Sequence, residues 1–213
     1  DGLAKVNYKC KPSLISIVKD IRKQDFKGPL LLRFPHITEK QINTLYNTFN
    51  SSIKEYDYKG TFNAVFPLKV NQLPNFIHPL INEGKKFNYG LEAGSKAELV
   101  IAMTYNNVGS PITVNGFKDK EMIHLGFIAK SMGHNITIII EGLNELEIII
   151  EVLNETKMEC PNIGLRVRLH SGGSGLWAKS GGINSKFGLT STEILEAYEL
   201  MEDNNLVKYL TMI

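Results

Sequence analysis

Asn63-Ala-Val-Phe-Pro-Leu-Lys-Val70 decides the fold. Side chains alternate faces along a strand, so Ala64, Phe66, Leu68 and Val70 share one side and Val65, Pro67 and Lys69 the other. The same asymmetry recurs downstream. In Gly90-Leu-Glu-Ala93, Leu91 and Ala93 oppose Gly90 and Glu92. In Pro111-Ile-Thr-Val-Asn-Gly116, Ile112 and Val114 oppose Thr113 and Asn115. In Ile136-Thr-Ile-Ile-Ile-Glu141, Ile136, Ile138 and Ile140 oppose Thr137, Ile139 and Glu141. In Gly164-Leu-Arg-Val-Arg-Leu169, Leu165, Val167 and Leu169 oppose Gly164, Arg166 and Arg168. One face is apolar throughout. The other turns polar toward each run's C-terminal end.

Helix-like stretches near 13–24, 38–54, 74–84, 95–105, 118–132, 143–155 and 191–204 separate these runs. Two further runs, Leu30–Phe34 and Tyr209–Ile213, read as strands at either end. Start signals accompany several helices: Thr38 before Glu39, Ser95 with Glu98 as a capping box, and Ser191 or Thr192 before Glu193. Repeated strand–helix alternation means a parallel sheet. Polar side chains gathered at the strands' C-terminal ends predict an α/β chain of the (β/α)₈ barrel type, whose site is built at that mouth. A doubly wound sheet would carry a Gly-rich first βα turn, absent here. A small open α/β sheet is the bland alternative. The runs are too few for eight strands, so the expectation is a barrel truncated after about the sixth or seventh.

The 213 residues are 43% apolar and 22% charged, with a formal net charge of +2, which excludes disorder, collagen and a strong pull on nucleic acid or anionic membrane. No run reaches the roughly 18 apolar residues of a membrane span. Cys10 and Cys160 make neither a disulfide framework nor a metal cluster, which points to a reducing, cytoplasmic setting.

Lys69 is the most informative single residue. An inward lysine on an apolar strand is partly desolvated, which frees its amine to attack carbonyls, as in Schiff-base enzymes. The competing reading pairs it with an inward carboxylate such as Glu92 or Glu141. Arg166 and Arg168 suit an anionic ligand, or neutralise those same carboxylates. The Gly-rich segment 170–190 holds the only tryptophan, Trp177, and reads as a functional loop or a plain surface one. Among the histidines, only His170, at a strand end, invites attention. None has metal-ligand spacing, and no Gly-x-Ser-x-Gly elbow occurs.

Taken together, Phe66-Pro-Leu-Lys-Val-Asn-Gln72, Gly90-Leu-Glu-Ala-Gly-Ser-Lys-Ala-Glu-Leu99, Asn115-Gly-Phe-Lys-Asp119, Gly164–Leu169, Gly173-Ser-Gly-Leu-Trp177 and Ser185-Lys-Phe-Gly-Leu189 resemble the bacterial biosynthetic arginine decarboxylases. These belong to the fold-type-III, alanine-racemase-like pyridoxal phosphate enzymes. The resemblance runs across almost the whole chain. It implies pyridoxal 5′-phosphate as cofactor, held by Lys69, with Glu92, Glu98, Arg166 and Arg168 on the cofactor-binding side. Lys186 matches a lysine that related decarboxylases use toward a dimer partner. The resemblance also implies a homo-oligomer, dimer or tetramer, and L-arginine as substrate. The product is agmatine, within polyamine and spermidine biosynthesis. Magnesium commonly accompanies the cofactor, although this sequence presents no ligand set for it.

Relatives carry further elements after the last strand: a His-Leu-Gly-Ser-Gln segment, a phosphate loop, a glutamate for the pyridinium nitrogen, and a β-domain. None occurs in these 213 residues. Residues 1–12 are therefore expected to belong with that β-domain and 13–213 with the barrel, the chain alone being inactive. Related decarboxylases acting on diaminopimelate, ornithine or carboxynorspermidine are the closest rivals. A non-catalytic pyridoxal phosphate carrier and a keto-sugar aldolase are more distant ones.

Overall fold

A computed structural model describes residues 5–7, 9–169 and 187–213. Strands β1 (Val65–Pro67), β2 (Gly90–Ala93), β3 (Pro111–Val114), β4 (Asn135–Ile140), β5 (Asn162–Leu165) and β6 (Leu210–Met212) form one sheet. Their spatial order is their order in sequence, β1-β2-β3-β4-β5-β6, and every pair is parallel. Each strand is thus laid on the same side of its predecessor, as in a (β/α)₈ barrel. A doubly wound sheet would reverse direction at a switch point.

Helices α1 (Leu14–Arg22), α2 (Pro35–Glu55), α3 (Pro74–Gly84), α4 (Lys96–Tyr105), α5 (Lys120–Ser131), α6 (Leu143–Thr156) and α7 (Ser191–Asp203) lie before and between the strands. Pro35 and Pro74 open α2 and α3, where a proline's missing N–H costs nothing. The true start of α2 is therefore Pro35, upstream of the expected Thr38. Asp119 caps α5 by accepting from Met122 N–H at 2.9 Å. Thr190 caps α7, with Glu193 reaching back to complete a capping box, so the cap falls one residue before the expected Ser191.

The register confirms the two-faced strands. Pro67 aligns with Glu92, Glu92 with Thr113, Thr113 with Thr137, and Ile139 with Gly164, so these residues share the inner face. On the other face, Leu91, Ile112, Val114, Ile136, Ile138, Ile140, Ile163 and Leu165 are each at most 3% exposed and form the core with the helices. Gly126 lets α5 approach closely, because a Cβ there would sit 2.9 Å from Ile138 Cδ1. Gly90 is required for a harder reason. A Cβ on it would fall 1.9 Å from the Pro111 carbonyl oxygen of the neighbouring strand.

Two strand expectations are corrected. Leu30–Phe34 forms no strand pair among the described residues, and Leu31 is 73% exposed. Its apolar run reflects an extended approach to Pro35, whose ring disfavours helix in the residue before it. The 63–70 run is a strand only over Val65–Pro67. Proline cannot donate to the ladder, and the chain then folds into a 3₁₀ turn, Leu68–Val70.

Candidate active site at the C-terminal strand ends

The turn that ends β1 places Lys69. Leu68 is fully buried and anchors the turn, while Lys69 and Val70 are exposed. This corrects the expectation of a partly desolvated lysine on a strand face. The amine stands at the C-terminal end of β1, and among the described residues it makes no ion pair or hydrogen bond. The expected alternative, a pairing of Lys69 with Glu92 or Glu141, does not occur.

Gln72, three residues on, ties this turn to the next strand end. Its Nε2 donates to Glu98 Oε1 at 3.2 Å. The other Glu98 oxygen accepts from Gly94 N–H at 2.7 Å. Ser95 Oγ accepts from Glu98 N–H, so half of the expected capping box forms. The reciprocal carboxylate contact lands on Gly94 instead. Glu92, at the end of β2, is 8% exposed, and its Oε1 accepts from Asn115 Nδ2 at 3.3 Å. The two carboxylates converge on Gly94, whose Cβ, were it present, would lie 3.5 Å from Glu98 Oε2 and 3.9 Å from Glu92 Oε1. Beside Glu92 on β3, the buried Thr113 Oγ1 has no hydrogen-bond partner among the described residues. Leaving a buried hydroxyl without a partner is costly, and the Asn106 Oδ1 acceptor is the other such atom among the described residues.

The second half of the belt is charged. Lys118 is fully buried in the β3–α5 loop, outside the expected 118–132 helix. Its Nζ lies 3.1 Å from Glu145 Oε1 and 4.0 Å from Glu141 Oε2, and it donates to the Gly116 carbonyl at 2.5 Å. Glu145, in the first turn of α6, also accepts from the backbone N–H groups of Lys118 and Glu141. Burial pushes the Glu145 carboxyl above the usual carboxylate range, outweighing the Glu141 N–H and Lys118, which pull it down. Glu141 forms an ion pair with Arg166 just past β5, and the Arg166 guanidinium lies 5.4 Å from the centre of the Phe187 ring.

The structure separates the two arginines. Arg166 joins Glu141, whereas Arg168 Nε donates to the Gly188 carbonyl at 3.1 Å and its backbone N–H to Leu189. Arg168 thus fastens the 187–190 segment to the end of β5. Gly188 is required there, since its φ is +88° and a Cβ would meet Arg168 N at 3.1 Å. His170, Trp177, Lys186 and the rest of the Gly-rich segment from 170 to 186 lie outside the described residues. Among the described residues, no group of three or more His, Cys, Asp or Glu could hold a metal, and no helix is long and apolar enough to cross a membrane.

Lys118, Glu145 and the unpartnered Thr113 hydroxyl escaped the sequence reading as site residues. The signal for the first two was present. Lys118 sits in the quoted Asn115–Asp119 motif, and Glu145 follows Glu141 by four residues at a helix start.

A parallel α/β sheet in sequential strand order, with a lysine at one strand end and Glu, Asn and Arg along the others, is the arrangement of α/β-barrel enzymes, which build their site at that mouth. The family model described as pyridoxal-dependent decarboxylase, pyridoxal binding domain matches residues 39–210. The chain belongs to this family. It is 42% identical over 201 residues to the biosynthetic arginine decarboxylase of Bacteroides thetaiotaomicron, covering 94% of this chain and 32% of that protein. The crystal structure of the biosynthetic arginine decarboxylase of Campylobacter jejuni is 58% identical with a TM-score of 0.92, covering 100% of this chain and 34% of that one. A diaminopimelate decarboxylase from M. jannaschii, at 21% identity and a TM-score of 0.66 over 100% of this chain and 46% of that one, shares the fold. The chain spans about a third of the length of the arginine decarboxylases it matches.

The residues present fit a pyridoxal group. Lys69 offers an amine with no competing partner among the described residues. Glu92 and Thr113 supply buried polar groups on the neighbouring strands β2 and β3, and Arg166 supplies a cation just past β5.

Proposed function

We propose that the full-length protein containing this chain decarboxylates L-arginine to agmatine and CO₂ with pyridoxal 5′-phosphate. The likeness to the Campylobacter jejuni arginine decarboxylase over the whole of this chain carries the reading. When bound, the cofactor supplies an electron sink for the pair left behind as CO₂ departs. Lys69 would hold its aldehyde, and the Leu68 anchor fixes where that amine stands. Glu98 holds the Lys69 turn through Gln72 and holds the β2–α4 loop through Gly94 N–H. Glu92, buried and braced by Asn115, presents a carboxylate that can hold a proton or accept a hydrogen bond from a bound group. Arg166, kept by Glu141, offers its remaining guanidinium donors to anionic groups. Arg168 acts in this reading by fastening the 187–190 segment.

A homo-oligomer, a cytoplasmic setting, and the division into residues 1–12 with a β-domain and 13–213 with the barrel belong to the same proposal. Both cysteines are free thiols, in keeping with a reducing compartment. The test is release of labelled CO₂ from carboxyl-labelled arginine by the full-length protein. Arginine turnover that falls at least about a thousandfold in Lys69→Ala is expected, as for loss of a group that forms the covalent intermediate. Turnover of ornithine or diaminopimelate in place of arginine would contradict the substrate. Unchanged turnover in Lys69→Ala would contradict the site.

A further inference from the structure

Among the described residues, the large fully buried side chains are apolar with one exception, the charged Lys118. Burying an ion is unfavourable unless each of its donors is met, and a fold that does so obtains a rigid, geometrically defined contact. Lys118 Nζ is met by the Gly116 carbonyl and by Glu145 Oε1. Glu145 Oε2 in turn accepts from the Glu141 backbone N–H at 2.8 Å. The pair therefore bridges three neighbouring pieces: the loop after β3, the end of β4 and the first turn of α6. Gly116 locks the first of these against the loop after β2. Its φ is +75°, and a Cβ on it would fall 2.8 Å from the Gly94 carbonyl oxygen.

Glu141 is where the bridge ends. Its backbone is held by Glu145, and its Oε2 lies 4.0 Å from the Lys118 ammonium. Its other oxygen holds Arg166 on the adjacent strand. The two buried carboxylates and two cations balance, so Arg166 is not facing an excess of negative charge. Without Lys118, Glu141 and Glu145 would share that space with Arg166 alone to offset them.

We propose that Lys118 and Glu145 are positioning residues for the pyridoxal site, a buried brace that sets Glu141 so that Glu141 aims Arg166 at the strand-end mouth. This rests on the pyridoxal reading above and adds two residues to it. Neither touches the mouth itself, since Lys118 is fully buried and Glu145 is 4% exposed. They act through Glu141.

The experiment uses the full-length protein and reads pyridoxal phosphate itself, by its dissociation constant and by the visible absorption of the bound cofactor. Four variants are compared: Glu145→Gln, Lys118→Met with Glu145→Gln, Glu141→Gln, and all three substitutions together. Removing both brace charges avoids leaving a lone buried carboxylate. The near-isosteric Glu145→Gln alone gives a second reading should the double variant not fold, foldedness being read by far-ultraviolet circular dichroism. The brace variants are expected to retain the fold and to weaken cofactor binding about tenfold, the scale of losing a partner that orients a ligand-holding residue. The triple variant is expected to bind no more weakly than Glu141→Gln, because the brace works only through that residue. Wild-type affinity and spectrum in folded brace variants would overturn the inference alone. So would losses that simply add in the triple variant. No cofactor binding by the unaltered protein would overturn the pyridoxal reading and the inference with it.

Discussion

Lys69 and Lys118 are both lysines at strand ends, and their surroundings set them apart. Lys69 is exposed and unpaired among the described residues. Lys118 is enclosed by two carboxylates and a carbonyl, and is structural in its contacts. Strand parity found the first because Lys69 interrupts an apolar run. It could not find the second, since Lys118 lies in a loop where alternation carries no information. Parity also misjudged the burial of Lys69, because the strand ends at Pro67 before parity can apply to residue 69. Arg168 shows the same limit: past Leu165 the chain turns from β4 to pair with the 187–190 segment, so strand parity does not foresee the Gly188 and Leu189 carbonyls that Arg168 meets. Among the glycines, Gly90 makes the sharpest residue-scale prediction. Gly90→Ala drives a methyl into the Pro111 carbonyl, so the full-length protein should lose at least about 2–3 kcal/mol in urea unfolding, the scale of core overpacking. Gly109→Ala, where nothing lies within 4 Å of the added carbon, serves as the comparison for backbone strain alone.

At the scale of elements, the helices were the most legible part. Their periodicity and caps are local, so the sequence alone nearly gives α3 through α7. The run at Leu30–Phe34 was misleading because an apolar run says nothing about whether a partner strand stands beside it. The helix caps carry their own tests. Thr190→Ala removes the hydroxyl that accepts from Glu193 N–H and should cost about 1 kcal/mol in the unfolding of the full-length protein. Acid should act through the same helix starts. Lys96 beside Asp119, and then the Met122 N–H, hold the Asp119 carboxyl below the usual range, and the Thr190 contacts do the same for Glu193. A carboxyl depressed in the folded state contributes stability above the ordinary carboxylate range and loses it as pH falls through the folded value. The urea midpoint should therefore drop between pH 7 and pH 3, and drop less in Asp119→Asn. An equal drop in that variant would show that the Asp119 contacts carry none of the acid sensitivity.

For the molecule as a whole, the apolar outer face was readable from side-chain alternation, whereas the sequential strand order that marks the barrel class is seen only in the structure. The belt at the strand ends was readable only in part, because Lys118 and Glu145 lie in a loop and at a helix start, whose positions depend on tertiary packing. The two cysteines report on that packing. Cys160 is fully buried, and burial pushes its thiol up to about 12, while Cys10 is exposed. Of these two thiols, only Cys10 should react with a disulfide reagent in the native full-length protein, and both after denaturation, as peptide mapping of the labelled sites would show. The most direct test of the central claim is borohydride reduction of the full-length protein loaded with pyridoxal phosphate, followed by peptide mass mapping. The account predicts a pyridoxyl group on the peptide containing Lys69. A cofactor trapped on a different lysine, or on none, would contradict it.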